Sequence, residues 1–267
     1  MTDHLFDKRC AVIGMVHVPA LPGTPHHRDS VGEIVAAASR EAEELAAAGV
    51  DALLLENMHD RPYLRGAVGP EIVSVMTAAA CAVRRSVSLP CGVQVLAAAN
   101  EEALAVALGA GLDFIRAEGF VFAHVADEGV IEGCAGRLLR ARKAWGAENV
   151  RVFTDIKKKH SSHAITADVS LVETAHGAEF FCSDGVIVTG TATGDPVDLD
   201  ELAAVAGATE LPVLVGSGAT LENAAELFPH ASALIVGSYF KRGGKWDGPL
   251  DVGKVREFTA HVCSLRG

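Results

Sequence analysis

The chain has 267 residues, 49% hydrophobic and 21% charged, enough apolar content to bury a large core and to exclude global disorder. Its 23 Lys and Arg against 34 Asp and Glu give a net charge of −11, which argues against nucleic-acid polymers and against docking on an anionic membrane. Aromatic residues at 5% also argue against a base-stacking platform.

The first nine residues show no secretory pattern, and no apolar run approaches the roughly 20 residues that span a bilayer. The six cysteines, at 10, 81, 91, 134, 182 and 263, form no CxxC pair. They read as buried thiols of a cytoplasmic protein rather than as a zinc site or a disulfide framework.

Short apolar, β-branched runs recur at 10–16, 51–56, 91–96, 113–117, 150–155, 185–189, 212–216 and 233–237. Several are apolar at successive positions, as in Ala52-Leu53-Leu54-Leu55, which suits strands of a parallel sheet buried on both faces. Helical patterns alternate with them. Ser30 and Glu33 read as a capping box, after which Val31, Ile34, Val35, Ala38, Ala42, Leu45 and Ala46 trace one face and Gly49 marks a stop. Pro70 suits a first helical turn. Asn100 reads as the cap of a third helix, Asp198 with Glu201 as a second capping box and Thr220 as the cap of a seventh helix. A basic helix is expected near 135–145, and Val252, Val255, Phe258 and Val262 mark a last one. Two stretches stay irregular: a Gly-containing insertion at 118–133 and a polar loop at 157–167, the kind of long loop that forms lids and binding surfaces. Eight β-α units predict an α/β fold, a (β/α)8 TIM barrel occupying 1–267 as one domain, rather than a doubly wound open sheet.

In such a barrel, chemistry gathers where strands end and βα loops begin. The polar residues there are His17, Glu56, Asn57, Gln94, Arg116, Glu118, Asp155, Lys157, Lys159, His160 and Thr189. Paired carboxylates, several cations and an imidazole on one rim suit acid–base chemistry. Alternation would place Asp155, Lys157 and Lys159 on one side while the strand persists. His17 reads either as an acid–base or hydrogen-bonding group or as a brace for the Pro19–Gly23 turn. The seventh strand ends in Gly216-Ser217-Gly218 and the eighth in Gly237-Ser238, where backbone N–H groups can approach a phosphate. Residues 189–194, Thr-Gly-Thr-Ala-Thr-Gly, suit close approach of a ligand or a closing loop. No cofactor or metal site is predicted; a divalent ion enters only through the weak His160/His163 pair.

These segments together resemble the BtpA family, which includes SgcQ-type proteins. The match runs in order through residues 13–23 (IGMVHVPALPG), Glu56-Asn57, 92–96 (GVQVL), 113–116 (DFIR), 129–133 (GVIEG), 155–160 (DIKKKH), 187–190 with 193–194, 213–218 (VLVGSG) and 235–238 with Phe240-Lys241. Gln94 stands where members commonly carry Asn, and the match around Lys158 is loose. The resemblance implies a TIM-barrel fold. It points in two functional directions, photosystem I biogenesis and sugar utilisation. The reading that follows is an enzyme acting on a phosphorylated sugar or nucleoside. Asp155 and Glu56 would be its carboxylates, Lys159, Arg116 and His17 its charge-stabilising or proton-exchanging groups, Gly216, Ser217, Gly218, Gly237 and Ser238 its phosphate anchor, and Asn57, Gln94, Lys157, His160 and Thr189 further ligand contacts. The rivals are a non-enzymatic assembly factor and a ligand sensor without turnover. Homo-oligomerisation is common among barrels, and no sequence feature fixes its symmetry.

Overall fold

The computed structural model describes residues 5–6, 8–190 and 195–267. In chain order the elements are β1 (Ala11–His17), α1 (Val31–Ala47), β2 (Ala52–Glu56), α2 (Pro70–Ser86), β3 (Cys91–Gln94), α3 (Asn100–Ala110), β4 (Phe114–Ala117), β5 (His124–Ala126), β6 (Gly129–Ile131), α4 (Ala135–Ala144), β7 (Arg151–Asp155), β8 (Ser161–Ser162), α5 (Leu171–Phe180), β9 (Gly185–Val188), α6 (Leu199–Ala208), β10 (Val213–Val215), α7 (Ala224–Leu227), β11 (Ala233–Val236) and α8 (Val252–Leu265). Strands β1, β2, β3, β4, β7, β9, β10 and β11 pair in parallel and close into the expected (β/α)8 barrel.

The continuous apolar runs divide with period two. Ala11, Ile13, Met15, Leu54, Phe114, Phe153, Ile187, Leu214, Ala233 and Ile235 fill the barrel interior. Val12, Val16, Leu53, Leu55, Val93, Ile115 and Val152 face outward against the helices. Two glycines make room for the large interior rings. A Cβ on Gly92 would lie 2.3 Å from Phe114, and one on Gly185 would lie 2.6 Å from Phe153. Phe6 adds a third ring, with its centroid 6.0 Å from those of Phe114 and Phe153.

The α1 capping box forms: Ser30 Oγ accepts from Glu33 N, and Glu33 accepts from Ser30 N. Pro70 occupies the first turn of α2. Other expected caps differ. Asn100 lies inside α3, its amide donating to Glu118 O and accepting from Glu118 N. One buried side chain thus satisfies both polar groups of a backbone unit at the end of β4, a use that outweighs an exposed cap. Asp198 caps α6 by accepting from Asp200 and Glu201 N. Thr220 caps nothing: α7 begins only at Ala224, after a turn in which Asn223 accepts from Thr220 N.

The stretches expected to be irregular are ordered against each other. β5, β6 and β8 build a small antiparallel sheet in the order β6-β5-β8, joining the 118–133 insertion to the loop after β7. The thiol expectation also needs correction. Cys10, Cys91 and Cys134 are buried, whereas Cys81 is half-buried and Cys182 and Cys263 are exposed. Burial pushes Cys10 up to about 12 and Cys91 up to about 11, so both stay protonated. No helix among the described residues is long and apolar enough to cross a membrane.

Candidate active site at the strand ends

The inward side of each barrel strand ends in one residue, two positions beyond the last interior apolar residue or glycine. Around the barrel these are His17, Glu56, Gln94, Arg116, Asp155, Thr189, Gly216 and Gly237. The ladder fixes His17 beside Glu56 and Glu56 beside Gln94. The first six carry polar side chains and the last two carry none. The ring therefore bears chemistry on one side and open backbone on the other.

A cavity of about 560 Å³ sits on this ring, within the range of small-molecule sites. His17, Glu56, Gln94, Arg116, Asp155, Lys159, His160, Gly216, Ser217, Gly218, Gly237 and Ser238 line it. Packing demands glycine at 216 and 218 and leaves little room at 237. A Cβ on Gly216 would meet Ile187 at 2.5 Å and Arg116 Nη2 at 3.1 Å; one on Gly237 would stand 3.3 Å from His17 Nε2. Gly218 has φ +74, and its Cβ would lie 2.0 Å from the Asp195 carbonyl oxygen.

Asp155 is committed to Arg116. Its two oxygens accept from Arg116 Nε and Nη2 at 2.8 and 2.7 Å, with both side chains buried. That fork holds the guanidinium in one plane. Among the described residues Glu56 has no such pairing: His17 Nε2 lies 3.8 Å away, beyond hydrogen-bond reach. Burial pushes the Glu56 carboxyl up, an effect partly offset by Arg116 and Lys159. Burial, aided by Arg116, pulls the Lys159 ammonium down. His17 is held down at about 3 by burial and by Lys241, so it is neutral. Its Nδ1 lies 3.0 Å from the Trp246 carbonyl oxygen, which only accepts. The ring proton therefore sits on Nδ1, and Nε2 presents a lone pair on the side of Glu56. A carboxyl easily protonated, an ammonium easily deprotonated and a fixed guanidinium form a set able to move a proton and neutralise an oxyanion.

Glu118 organises the next sector. It accepts from Gln94 Nε2 at 3.2 Å and Ala98 N at 3.0 Å, and it pairs with Lys158 Nζ at 3.1 Å. The amide of Gln94 is thereby oriented, leaving its buried Oε1 without a hydrogen-bond partner among the described residues.

Three expected ligand contacts lie outside the cavity wall. Asn57 is saturated inside the protein, accepting from Leu96 N and donating to Asp60 Oδ2, both at 2.8 Å. Thr189 Oγ1 accepts from Lys159 N at 3.2 Å and so braces the loop that carries Lys159. Lys157 takes φ +48, which ends the strand alternation, and its side chain lines a separate small cavity with His124 and His163. Lys158, given no role by the spacing, enters the main cavity instead. Arg61, Tyr63 and Trp246 also line it and lie in loops without periodic signal. The His160/His163 pair does not converge: His160 faces the main cavity, while His163 bonds the Lys158 carbonyl at 2.9 Å and faces the small one. Among the described residues no group of three or more His, Cys, Asp or Glu is placed to hold a metal. Residues 191–194 of the expected ligand loop lie outside the described residues.

Comparison with known proteins follows the same lines. The sequence model of the BtpA family matches residues 8–264. An uncharacterised mitochondrial protein of Caenorhabditis elegans is 51% identical, with 98% of this chain and 96% of that protein aligned. The photosystem I biogenesis protein BtpA of Synechocystis is 34% identical over 95% of this chain and 88% of its own length. Among solved structures, thiamine phosphate pyrophosphorylase from Pyrococcus furiosus superposes with a TM-score of 0.59 at 14% identity, covering 99% of this chain and 100% of that one. Geranylgeranylglyceryl phosphate synthase from Thermoplasma acidophilum, in complex with sn-glycerol-1-phosphate, gives 0.58 at 15% identity, covering 96% and 94%. At these identities the likeness establishes the fold alone.

Proposed function

This chain belongs to the BtpA family, and on that premise we propose that it is an enzyme acting on a phosphorylated small molecule, a sugar or nucleoside phosphate, by acid–base chemistry at the barrel rim. The observation that carries the reading is the divided ring: five polar inward residues, His17, Glu56, Gln94, Arg116 and Asp155, share one cavity with two glycines, Gly216 and Gly237. The phosphate lies on the side of Gly216, Ser217, Gly218, Gly237 and Ser238, which line the cavity and whose glycines add no side chain of their own. Ser238 and Tyr239 open a 3-10 turn, so their N–H groups have no acceptor within it. Glu56 takes the acid–base role, Lys159 and Arg116 stabilise negative charge as it develops, and Asp155 fixes Arg116 in place. Two solved barrels of the same fold are named for phosphorylated compounds, which agrees with this reading.

A thermal-shift series with sugar phosphates, nucleotides and inorganic phosphate tests it, because a ligand of the native state raises the melting point. At 100 times Kd the gain is about 2.7 kcal/mol, several degrees for a chain of this size. Ser238→Asp, which places a carboxylate on the phosphate side without needing positive φ, abolishes the shift. A shift that survives Ser238→Asp, or none with any phosphate ester, contradicts the proposal.

A second reading, an assembly factor, is favoured by exposed rings at the C-terminal end of α5. Phe180 is 82% and Phe181 48% exposed, with centroids 5.7 Å apart. It predicts that Glu56→Gln retains full biological activity while Phe180→Glu loses it in a complementation assay. The cytoplasmic location expected from the sequence belongs to the proposal as well.

A further inference from the structure

The chain contains two Trp and two Tyr. Three of these four, Tyr63, Tyr239 and Trp246, line the cavity, whereas none of its ten Phe does. The low aromatic content argues against a polymer platform, but the indole and phenol rings present are concentrated at one small site. Their arrangement is specific. The Arg61 guanidinium lies over the Trp246 ring, 4.7 Å from its centroid, and the His59 ring lies 4.9 Å from it. Arg61 is exposed and comes from the loop after β2, while Trp246 comes from the loop after β11. The two loops thus meet above His17, whose Nδ1 is held by the Trp246 carbonyl.

Building on the phosphate-enzyme reading, we infer that the substrate carries a planar nitrogen heterocycle, so that it is a nucleotide-like phosphate ester whose ring stacks on Trp246 beneath Arg61. Guanidinium and indole both present flat faces, and each stacks on an aromatic plane. A saturated sugar ring can pack a C–H face on the indole but offers the guanidinium no π-plane, so it fits one of the two faces and not both. Among the described residues Arg61 is in no ion pair with a carboxylate, so a ring entering between it and Trp246 breaks no such pair. The phenol of Tyr63 donates to the Met58 carbonyl at 2.7 Å, so it supplies a ring wall and not a polar contact. Gln94 Oε1 is a buried acceptor beside the same cavity with no partner among the described residues, in keeping with a ligand that brings N–H donors.

The test uses the full chain carrying Trp145→Phe, which leaves Trp246 as the sole indole; Trp145 is an exposed residue at the end of α4. Ribose 5-phosphate, inorganic phosphate and the 5′-monophosphates of adenosine, guanosine, cytidine and uridine are titrated by fluorescence and by calorimetry. At least one nucleoside monophosphate quenches Trp246 and binds tenfold or more tighter than ribose 5-phosphate, as expected for one stacked base. Trp246→Leu removes that advantage and leaves the ribose 5-phosphate affinity within about twofold, while Arg61→Ala lowers nucleotide binding with the fold intact. Equal affinities for ribose 5-phosphate and every nucleotide, or equal losses of both in Arg61→Ala, overturn the inference and leave the phosphate reading standing. Failure of every phosphate ester to bind removes the phosphate reading, and this inference with it.

Discussion

Glu56 and His17 are neighbours on adjacent strands, and burial moves both toward their neutral forms, in opposite directions on the pH scale. The consequences for stability have opposite signs. His17 titrates at about 3 in the native protein against 6.5 when exposed, so only the unfolded chain takes up its proton between these values. Its contribution is present above about pH 6.5 and is lost as pH falls toward 3, by up to ~1.4 kcal/mol per unit. Glu56, with its native value raised, contributes stability at low pH that is lost as pH rises through that value. Urea unfolding between pH 7.5 and 5 checks this: His17→Gln loses stability less steeply on acidification than the parent, and parallel curves contradict it. Asp155→Ala leaves the buried Arg116 charge uncompensated and costs about 3–5 kcal/mol, against near-zero cost if the pair were solvated. Much of the ring could be found in the sequence because period two simply continues past the apolar run: Met15 leads to His17, Leu54 to Glu56, Phe153 to Asp155. The rule fails two residues after Asp155. Lys157 was expected beside Lys159, but its positive φ reverses the side-chain directions, and no local pattern announces that turn.

Elements were found where burial is continuous and missed where it is not. The barrel strands are flanked by helices on one face and the interior on the other, so their sequences are apolar throughout. The β5-β6-β8 sheet has strands of two or three residues, with Val125 and Val130 exposed, and such segments carry no readable alternation. Its hairpin turn brings Asp127 and Glu128 to the cavity edge, and Lys158 and His160 follow from the adjoining loop. The two absent caps have one cause: Asn100 and Asn223 bond loop backbone near the rim, and helix starts shift to suit. Glycine substitutions separate the packing terms. Gly92→Ala drives a methyl against the Phe114 ring and costs about 1–3 kcal/mol. Gly207→Ala, at an exposed site in α6 with open space around it, stabilises by up to about 1 kcal/mol. Chemical denaturation of both variants gives opposite signs; the same sign in both would contradict the packing described for the barrel interior.

At the scale of the whole molecule, the net charge of −11 does not describe the cavity, where Arg61, Arg116, Lys158 and Lys159 stand among the carboxylates Glu56, Glu118, Asp127, Glu128 and Asp155. Global charge weighs against polyanions but does not set the potential of a recessed pocket, where nearby fixed charges dominate. The strand ends and the loops beyond them bring both signs together, Glu56, Glu118 and Asp155 among the carboxylates and Arg116, Lys158 and Lys159 among the cations. Fold and family were accessible from the sequence because eight repeated units and a series of ordered motifs span the chain. The reaction was not, because a TIM barrel hosts many chemistries and much of the cavity wall, Trp246 and Arg61 included, comes from aperiodic loops. The most direct test is a structure of the protein with its best-stabilising phosphate ester. The phosphorus is expected beside Gly216–Gly218 and Gly237–Ser238, with the rest of the ester reaching toward Glu56 and Lys159. A phosphate bound elsewhere on the molecule, or a rim empty at saturating ligand, would contradict the assignment of this rim as a phosphate-ester active site.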